Sequence, residues 1–538
     1  MFRFVFACFF LFAAGLSAAE LPLSPRPASV EVQAGSYLLK DGSAVALQGI
    51  PQADFLLSTL SEAAKMKFVQ AGNGTAPITF VLKKASQGTS PEAYSLEISS
   101  SGIRITGDEA GLFYGAKSLG QIVSGASKAD GAAKLDNLKI HDSPRYGWRG
   151  FMLDESRHFS GEAAVKRLLD AMAHYKMNRF HWHLTDSPGW RIEIKKYPRL
   201  TSVGGRGSET DRSPNAPAEF YTQEQIRDIV AYAKQRHILV IPEIDMPGHA
   251  DAANIAYPEN DGGGFRRSGD KWIRFTFNPA KAETLEFLDN ILKEVAELFP
   301  DAKIIHFGGD EVNFGWKQWD SLPEVQELMK KENLKDKDAV EGWFNRRMAG
   351  VINSLGFKVA GWDEIATRGL AKDKTIVYWW RHDKPQVMRK ALADGYPVVL
   401  CPRRPMYLDF IQQKEHKVGR VWGGFNPLPD VYNFPAALKL TEAQERNVLG
   451  VNACLWAEVM RDQERRDFMT WPRLVAVAES GWTPADRKDY ASFEARLKPE
   501  LDSLKARGFV TLYDPFEKSP EVRDKKEVKA LKALDQPD

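Results

Sequence analysis

The chain has 538 residues, 43% apolar and 27% charged, which suits a barrel-sized folded unit with a smaller companion and ample core. Its formal net charge of +2 is spread over many residues of both signs, which argues for neither nucleic acid nor anionic membrane as a partner. The 14 Trp and 15 Tyr supply amphipathic rings of the kind that line ligand pockets, although most aromatic residues in any protein are core.

Arg3, the apolar run Phe4 to Leu16 and the small residues Ser17-Ala18-Ala19 read as an export signal over residues 1–19, cleaved before Glu20. The run is short of the roughly 20 apolar residues of a spanning helix. The expected location is therefore the periplasm or the extracellular space. Cys8 lies inside the signal, and Cys401 and Cys454 are too few to staple a chain of this size. They read as two buried free thiols.

Residues 20–142 read as a small α+β domain. Ser29 to Leu39, Ile78 to Lys84, Tyr94 to Ser99 and Gly102 to Thr106 have strand character, with a turn at Ser99-Ser100-Ser101-Gly102. Leu112, Ala116, Leu119, Ile122 and Val123 then mark one face of a helix. The stretch Gly125 to Lys134 reads as a surface loop, and Asn73-Gly74-Thr75 fits a glycosylation sequon. Nothing in this domain suggests catalysis.

From residue 143 to 514, strands and helices alternate. The strands are Gly150 to Leu153, Phe180 to Thr185, Ile238 to Ile244, Lys303 to Phe307, Lys358 to Gly361, Thr375 to Trp379, Pro397 to Leu400 and Gly450 to Leu455. Helices are marked by Val165, Leu168, Leu169 and Met172 after a Ser160 cap, and by a capping box at Thr222-Gln223-Glu224-Gln225. Ala282 to Leu298 and Val340 to Leu355 are helical as well. Eight such units predict a (β/α)8 barrel. Residues 515–538 form a charged tail.

A barrel of this kind carries its site at the C-terminal ends of its strands. The chemically capable residues fall there: Asp154, Asp186, Asp245 with His249, Asp310 with Glu311, Trp362-Asp363-Glu364, Trp379-Trp380, Tyr407 with Asp409, and Trp456 with Glu458. Two long insertions on the same face, Ser187 to Tyr221 and Ala250 to Phe277, read as lids or binding walls, the second made mobile by Gly262-Gly263-Gly264. In an extended strand Asp310 and Glu311 would point to opposite faces; Gly308-Gly309 lets the chain curl and turn both to one ligand.

No dinucleotide fingerprint, phosphate-binding loop or nucleophile elbow is present. The strand-end set is dominated by carboxylates and tryptophans, so metal-assisted hydrolysis is a minor alternative, and neither a metal nor a cofactor is called for. Paired acids walled by indole rings suit a sugar, because rings stack on pyranose faces and acids protonate a leaving oxygen. The residues alone point to a glycoside hydrolase.

His306-Phe307-Gly308-Gly309-Asp310-Glu311 resembles the signature of family-20 glycoside hydrolases, the β-N-acetylhexosaminidases. Pro144-Arg145-Tyr146-Gly147-Trp148-Arg149-Gly150 through Asp154-Glu155-Ser156-Arg157-His158-Phe159, His183-Leu184-Thr185-Asp186, Glu243-Ile244-Asp245-Met246-Pro247-Gly248-His249, Gly361-Trp362-Asp363-Glu364 and Leu455-Trp456-Ala457-Glu458 are similar to other strands of that family. The resemblance spans residues 21–512. It implies exo-acting removal of terminal β-linked GlcNAc or GalNAc from a glycan, with retention, through an oxazolinium ion formed by the sugar's own acetamido group. It implies Glu311 as general acid and base, Asp310 as the partner of the acetamido group, and Asp186 with His249 as a relay behind Glu311. Arg149, Tyr407, Asp409 and Glu458 would bind the sugar, with Trp343, Trp362 and Trp456 as walls. Arg157 and His158 are expected to stand behind the residues that touch the sugar or to be structural, and Asp245 is open between touching the sugar and standing behind the residues that do. Trp379 and Trp380 are open between packing and pocket, and Asp363 and Glu364 read as solvated. Alternatives are disaccharide release of the lacto-N-biosidase type and non-catalytic sugar binding.

Overall fold

The computed structural model describes residues 21–47, 49–72, 76–211, 213, 215–265, 272–517 and 529. The export signal, the Asn73 sequon and most of the charged tail lie outside them. No helix among the described residues is long and apolar enough to cross a membrane.

The first layer is a mixed sheet. Strand Ser29–Lys40 pairs antiparallel with Ala132–Asp142, followed by Tyr94–Ser99, Gly102–Gly107, Ile78–Leu82, Ser43–Ala46 and Phe68–Gln70. Helices Ala53–Ala64 and Glu109–Gly125 pack together beside it, with Leu56, Leu60, Leu112, Leu119 and Val123 in the core. The stretch read as a loop before Lys134 is a hairpin instead: Lys128–Ala129 pairs with the start of Ala132–Asp142.

The second unit is a closed parallel barrel of eight strands. They are β1 (Trp148–Asp154), β2 (Arg179–His183), β3 (Leu239–Glu243), β4 (Ile304–His306), β5 (Lys358–Trp362), β6 (Thr375–Trp379), β7 (Val398–Leu400) and β8 (Val448–Leu455). Alternate residues face the interior, as the period of two requires. Met152, Ile241, Ala360, Trp362, Ile376, Tyr378, Val399, Cys401 and Cys454 form one interior cluster. Both cysteines are free and buried. Helix Glu162–His174 starts from Gly161, not from a Ser160 cap; Ser160 Oγ instead accepts from Arg466. The Thr222 capping box forms as predicted.

Arg149 stands at the start of β1, at the end of the barrel opposite the predicted site, with no solvent exposure. Its guanidinium bonds both oxygens of Glu92 in the N-terminal layer, at 2.6 and 3.0 Å, and the carbonyls of Lys176 and Tyr146 at 2.7 Å. Asp142 makes a parallel tie to Lys176 at 3.1 Å and Trp482 at 2.9 Å. The sugar-binding expectation for Arg149 is therefore corrected. It is a bolt between the two layers.

Two other buried arginines shape the long loops. Arg191 donates to the carbonyls of Glu155, Ser156, Gly205, Gly207 and Glu219, gathering the 187–221 insertion around one guanidinium. Arg473 does the same for the segment after β7, through the carbonyls of Leu408, Phe410, Asn426 and Met469. In the 250–277 insertion, Gly262 to Gly264 lie in strand Asp261–Phe265, which pairs with Trp272–Phe277. A Cβ on Gly263 would strike Gln318, so these glycines permit close packing and are not a hinge.

Candidate active site

β4 ends at His306, and the chain then turns on Gly308 (φ 69°) and Gly309 (φ 84°). These values favour glycine, and at Gly308 a Cβ would also overlap the Asp245 carboxylate. Glu311 follows in the left-handed region (φ 53°), as does His249 (φ 53°). The turn brings both acids to one imidazole: His249 Nε2 lies 3.4 Å from Glu311 Oε2 and 3.6 Å from Asp310 Oδ2.

Behind that imidazole, His249 Nδ1 is 3.0 Å from Asp186 Oδ1. Asp186 Oδ2 meets His183 Nε2 at 2.8 Å and Arg157 Nη1 at 2.7 Å. Burial would raise the Asp186 carboxyl, but Arg157, His249 and His183 together hold it well below the usual carboxylate range. Burial would likewise lower His249; the neighbouring carboxylates, Asp186 foremost, outweigh it and raise the ring well above the usual histidine range. Asp310 is pushed well up by burial and by the negative charge of Asp245, and burial takes Asp245 itself up to about 8.

The rings close the other side. Trp362 and Trp456 meet with centroids 5.6 Å apart, Tyr407 lies 6.0 Å from Trp456, and Trp380 stacks on Tyr407 at 6.5 Å and 9°. Arg420 ties Asp409 (2.8 Å) to Glu458, and Arg157 reaches Glu458 at 3.9 Å with its guanidinium 5.1 Å from the Trp456 ring. Burial would raise Glu458, yet Arg420 and Arg157 hold it low; Asp409 is carried up to about 7 by burial against Arg420. Asp310 Oδ1, Glu458 Oε2 and Trp456 Nε1 are buried without hydrogen-bond partners in the protein. Such atoms are costly unless a ligand or water completes them.

Residues 146–485 match the model of "Glycosyl hydrolase family 20, catalytic domain", and residues 20–143 match "Glycosyl hydrolase family 20, domain 2". The chain belongs to glycosyl hydrolase family 20. It is thereby a glycoside hydrolase. It is 38% identical over 441 residues to a β-hexosaminidase of Porphyromonas gingivalis, covering 80% of this chain and 55% of that one. Identity to a β-hexosaminidase of Vibrio furnissii is 35%, covering 86% and 77%. Among solved structures it resembles an exo β-N-acetylglucosaminidase of Vibrio harveyi in complex with N-acetylglucosamine, with a TM-score of 0.83, 32% identity and coverage of 93% and 80%. It also resembles the N-acetyl-β-hexosaminidase of Streptomyces plicatus, at 0.78, 31%, and coverage of 91% and 96%.

Within this family-20 site the structure gathers Asp186, His249, Asp310, Glu311, Trp362, Tyr407, Asp409, Trp456 and Glu458. It does not bring in Arg149, as shown above. Trp343 lies on helix Lys337–Ser354 and packs against the cluster of Val312, Trp319, Val325, Leu328 and Val340, so its expected place in the ring wall is not supported by its contacts. Arg157, expected behind the sugar-touching residues or in a structural role, stands among the site acids. His158 is structural, bonded to the Ala457 carbonyl and Thr210. Asp363 and Glu364 are not solvated: Arg381 binds both, and Trp380 Nε1 donates to Glu364 at 3.0 Å. Asp245 stands behind Asp310, with its Oδ1 accepting from Gly309 N at 3.4 Å.

Among the described residues, three buried groups have the spacing to surround an ion: His181–Glu243–His306, His183–Asp186–Asp245 and Asp245–His249–Asp310. His183 has both ring nitrogens already engaged by carboxylates, and Asp186 is shared by two imidazoles and a guanidinium. This donor set is organised around protons and ion pairs. Arg420 and Glu243 were missed in the sequence. Arg420 lies in a loop with no periodic signal, whereas Glu243 is the last residue of β3 and shares the inward face of Ile241.

Proposed function

We propose that the protein is an exo-acting β-N-acetylhexosaminidase that removes terminal non-reducing β-linked GlcNAc or GalNAc with retention, using the substrate's acetamido group as nucleophile. The observation that carries this reading is the left-handed turn that sets Asp310 and Glu311 beside one imidazole. Glu311 is the more open of the two, with a side-chain exposure of 23% against 11%. It protonates the glycosidic oxygen as the acetamido oxygen bonds C1 and the C1–leaving-group bond breaks. The Glu311 carboxylate then takes a proton from the water that opens the oxazolinium ion.

Asp310 acts on the acetamido nitrogen. Burial disfavours its charge, and positive charge developing on that nitrogen reverses the balance. Its stabilisation is therefore greatest in the transition state. Glu458, Asp409 and Arg157 hold sugar hydroxyls, and Trp362, Trp456 and Tyr407 wall the ring.

A panel of defined β-linked GlcNAc and GalNAc oligosaccharides tests the reading. Release of single β-configured monosaccharides from the non-reducing end is expected. Release of intact disaccharides would move the protein to the lacto-N-biosidase type, and binding without hydrolysis would make it a sugar-binding protein. Export rests on the Arg3 and Phe4–Leu16 pattern; N-terminal sequencing of the mature protein should begin at Glu20.

A further inference from the structure

The relay behind Glu311 has no natural end at Asp186. Strand register sets Asp154, His183, Glu243 and His306 side by side across β1 to β4. His183 Nε2 meets Asp186 at 2.8 Å, and its Nδ1 meets Glu243 Oε2 at 2.6 Å. With His249 between Asp186 and Glu311, carboxylate and imidazole alternate from the barrel interior to the reacting acid: Glu243, His183, Asp186 and His249 are joined by hydrogen bonds, and Glu311 follows at an ion-pair distance of 3.4 Å.

We propose that this five-group array works as a unit, with His183 and Glu243 as positioning residues that set how strongly Glu311 holds its proton. The proposal rests on the assignment of Glu311 as the general acid.

Two features make the inner half more than packing. Glu243 is fully buried; His183 Nδ1 and Trp362 Nε1 (2.9 Å) donate to it, and the rings of His181 and His306 stand at 2.8 and 3.0 Å. Trp362 is also a wall of the sugar site, so the interior carboxylate and the site are mechanically joined. His183 is clasped by carboxylates at both nitrogens, which requires both to donate and makes the ring an imidazolium. Burial opposes that charge, but Glu243 and Asp186 hold it well above the usual histidine range. The other charged or titratable groups near His183 are Arg157 at 3.5 Å, Asp154 and Asp245, with His181 and His306 sharing Glu243.

The consequence has a definite sign. The His183 cation faces Asp186 and so offsets part of the negative field that reaches His249 and Glu311. Removing it while Glu243 stays ionised makes the field at Glu311 more negative, so Glu311 holds its proton to higher pH.

The experiment is the pH profile of kcat/KM on an aryl β-GlcNAc for the full chain and for His183→Gln, Glu243→Gln and the double variant. In His183→Gln the alkaline limb should move up by about one pH unit, and the double variant, which removes both charges, should return it toward the wild type. A purely structural role would lower the amplitude in all three and leave both limbs where they were; that result would overturn the proposal. If His183→Gln does not fold, 15N-histidine NMR of the unmodified protein serves instead. At pH 8 the rings of His183 and His249 should both remain imidazolium, and a neutral His183 ring would overturn the proposal. Failure of the wild-type protein to hydrolyse the aryl glycoside would count against the hexosaminidase reading, while the NMR result would still decide the array.

Discussion

At the residue scale, the proposed division of labour between two adjacent acids makes separable predictions. Glu311→Gln should lower kcat by about 10²- to 10⁴-fold with KM little changed, because only the proton transfer is lost. The same substitution should be rescued in part by a substrate whose leaving group needs no protonation, such as a dinitrophenyl glycoside. Arg157→Lys should instead raise KM, since a single ammonium cannot hold Asp154, Asp186 and Glu458 at once. The carboxylates of the site were legible because they follow apolar strands, and strand polarity fixes the end on which they emerge. Arg149 was misread against that same rule. It lies at the start of its strand, and so belongs to the opposite end, where it is bonded to Glu92. Arg157 stays open between supporting the site and supporting the fold, because a buried arginine among acids has the same sequence appearance in either role.

At the element scale, the barrel strands were legible because they are apolar, regularly spaced and separated by helical periodicity; Thr375–Trp379 and helix Ala282–Leu298 match their predicted bounds. The strands Ser43–Ala46 and Phe68–Gln70 span four and three residues, too few for alternation to register. Loop shape was not legible at all, because it is set by single buried guanidiniums that collect carbonyls from distant points in the chain. Arg191→Met would leave five carbonyls, four of them buried, short of a donor. A loss of about 3 kcal/mol or more is expected, with faster proteolysis confined to residues 187–221; unchanged cleavage in that segment would contradict the anchoring role. The hairpin at 261–277 extends this logic toward the site, since Phe275 packs 4.7 Å from the His249 ring.

At the scale of the whole molecule, buried ion pairs join the N-terminal layer to the floor of the barrel, so the two should unfold together. Calorimetry should show one transition; Arg149→Gln, which leaves Glu92 without its guanidinium, should cost about 3 to 5 kcal/mol and leave KM unchanged. The site also marks the pH dependence of stability. Burial raises Asp245 from its ordinary value to about 8, so its folded form keeps a proton that the unfolded chain releases. Its contribution is fully present below the unfolded value near 4 and is lost as pH rises through about 8. The melting temperature of Asp245→Asn relative to the wild type should therefore climb between pH 5 and pH 8.5. All of this serves one chemical claim, that the nucleophile is carried by the sugar and not by the protein. Comparing kcat/KM for aryl β-GlcNAc, aryl β-glucoside and aryl β-glucosaminide tests it most directly. Hydrolysis of the acetamido sugar alone is the predicted result, and comparable turnover of all three would contradict it.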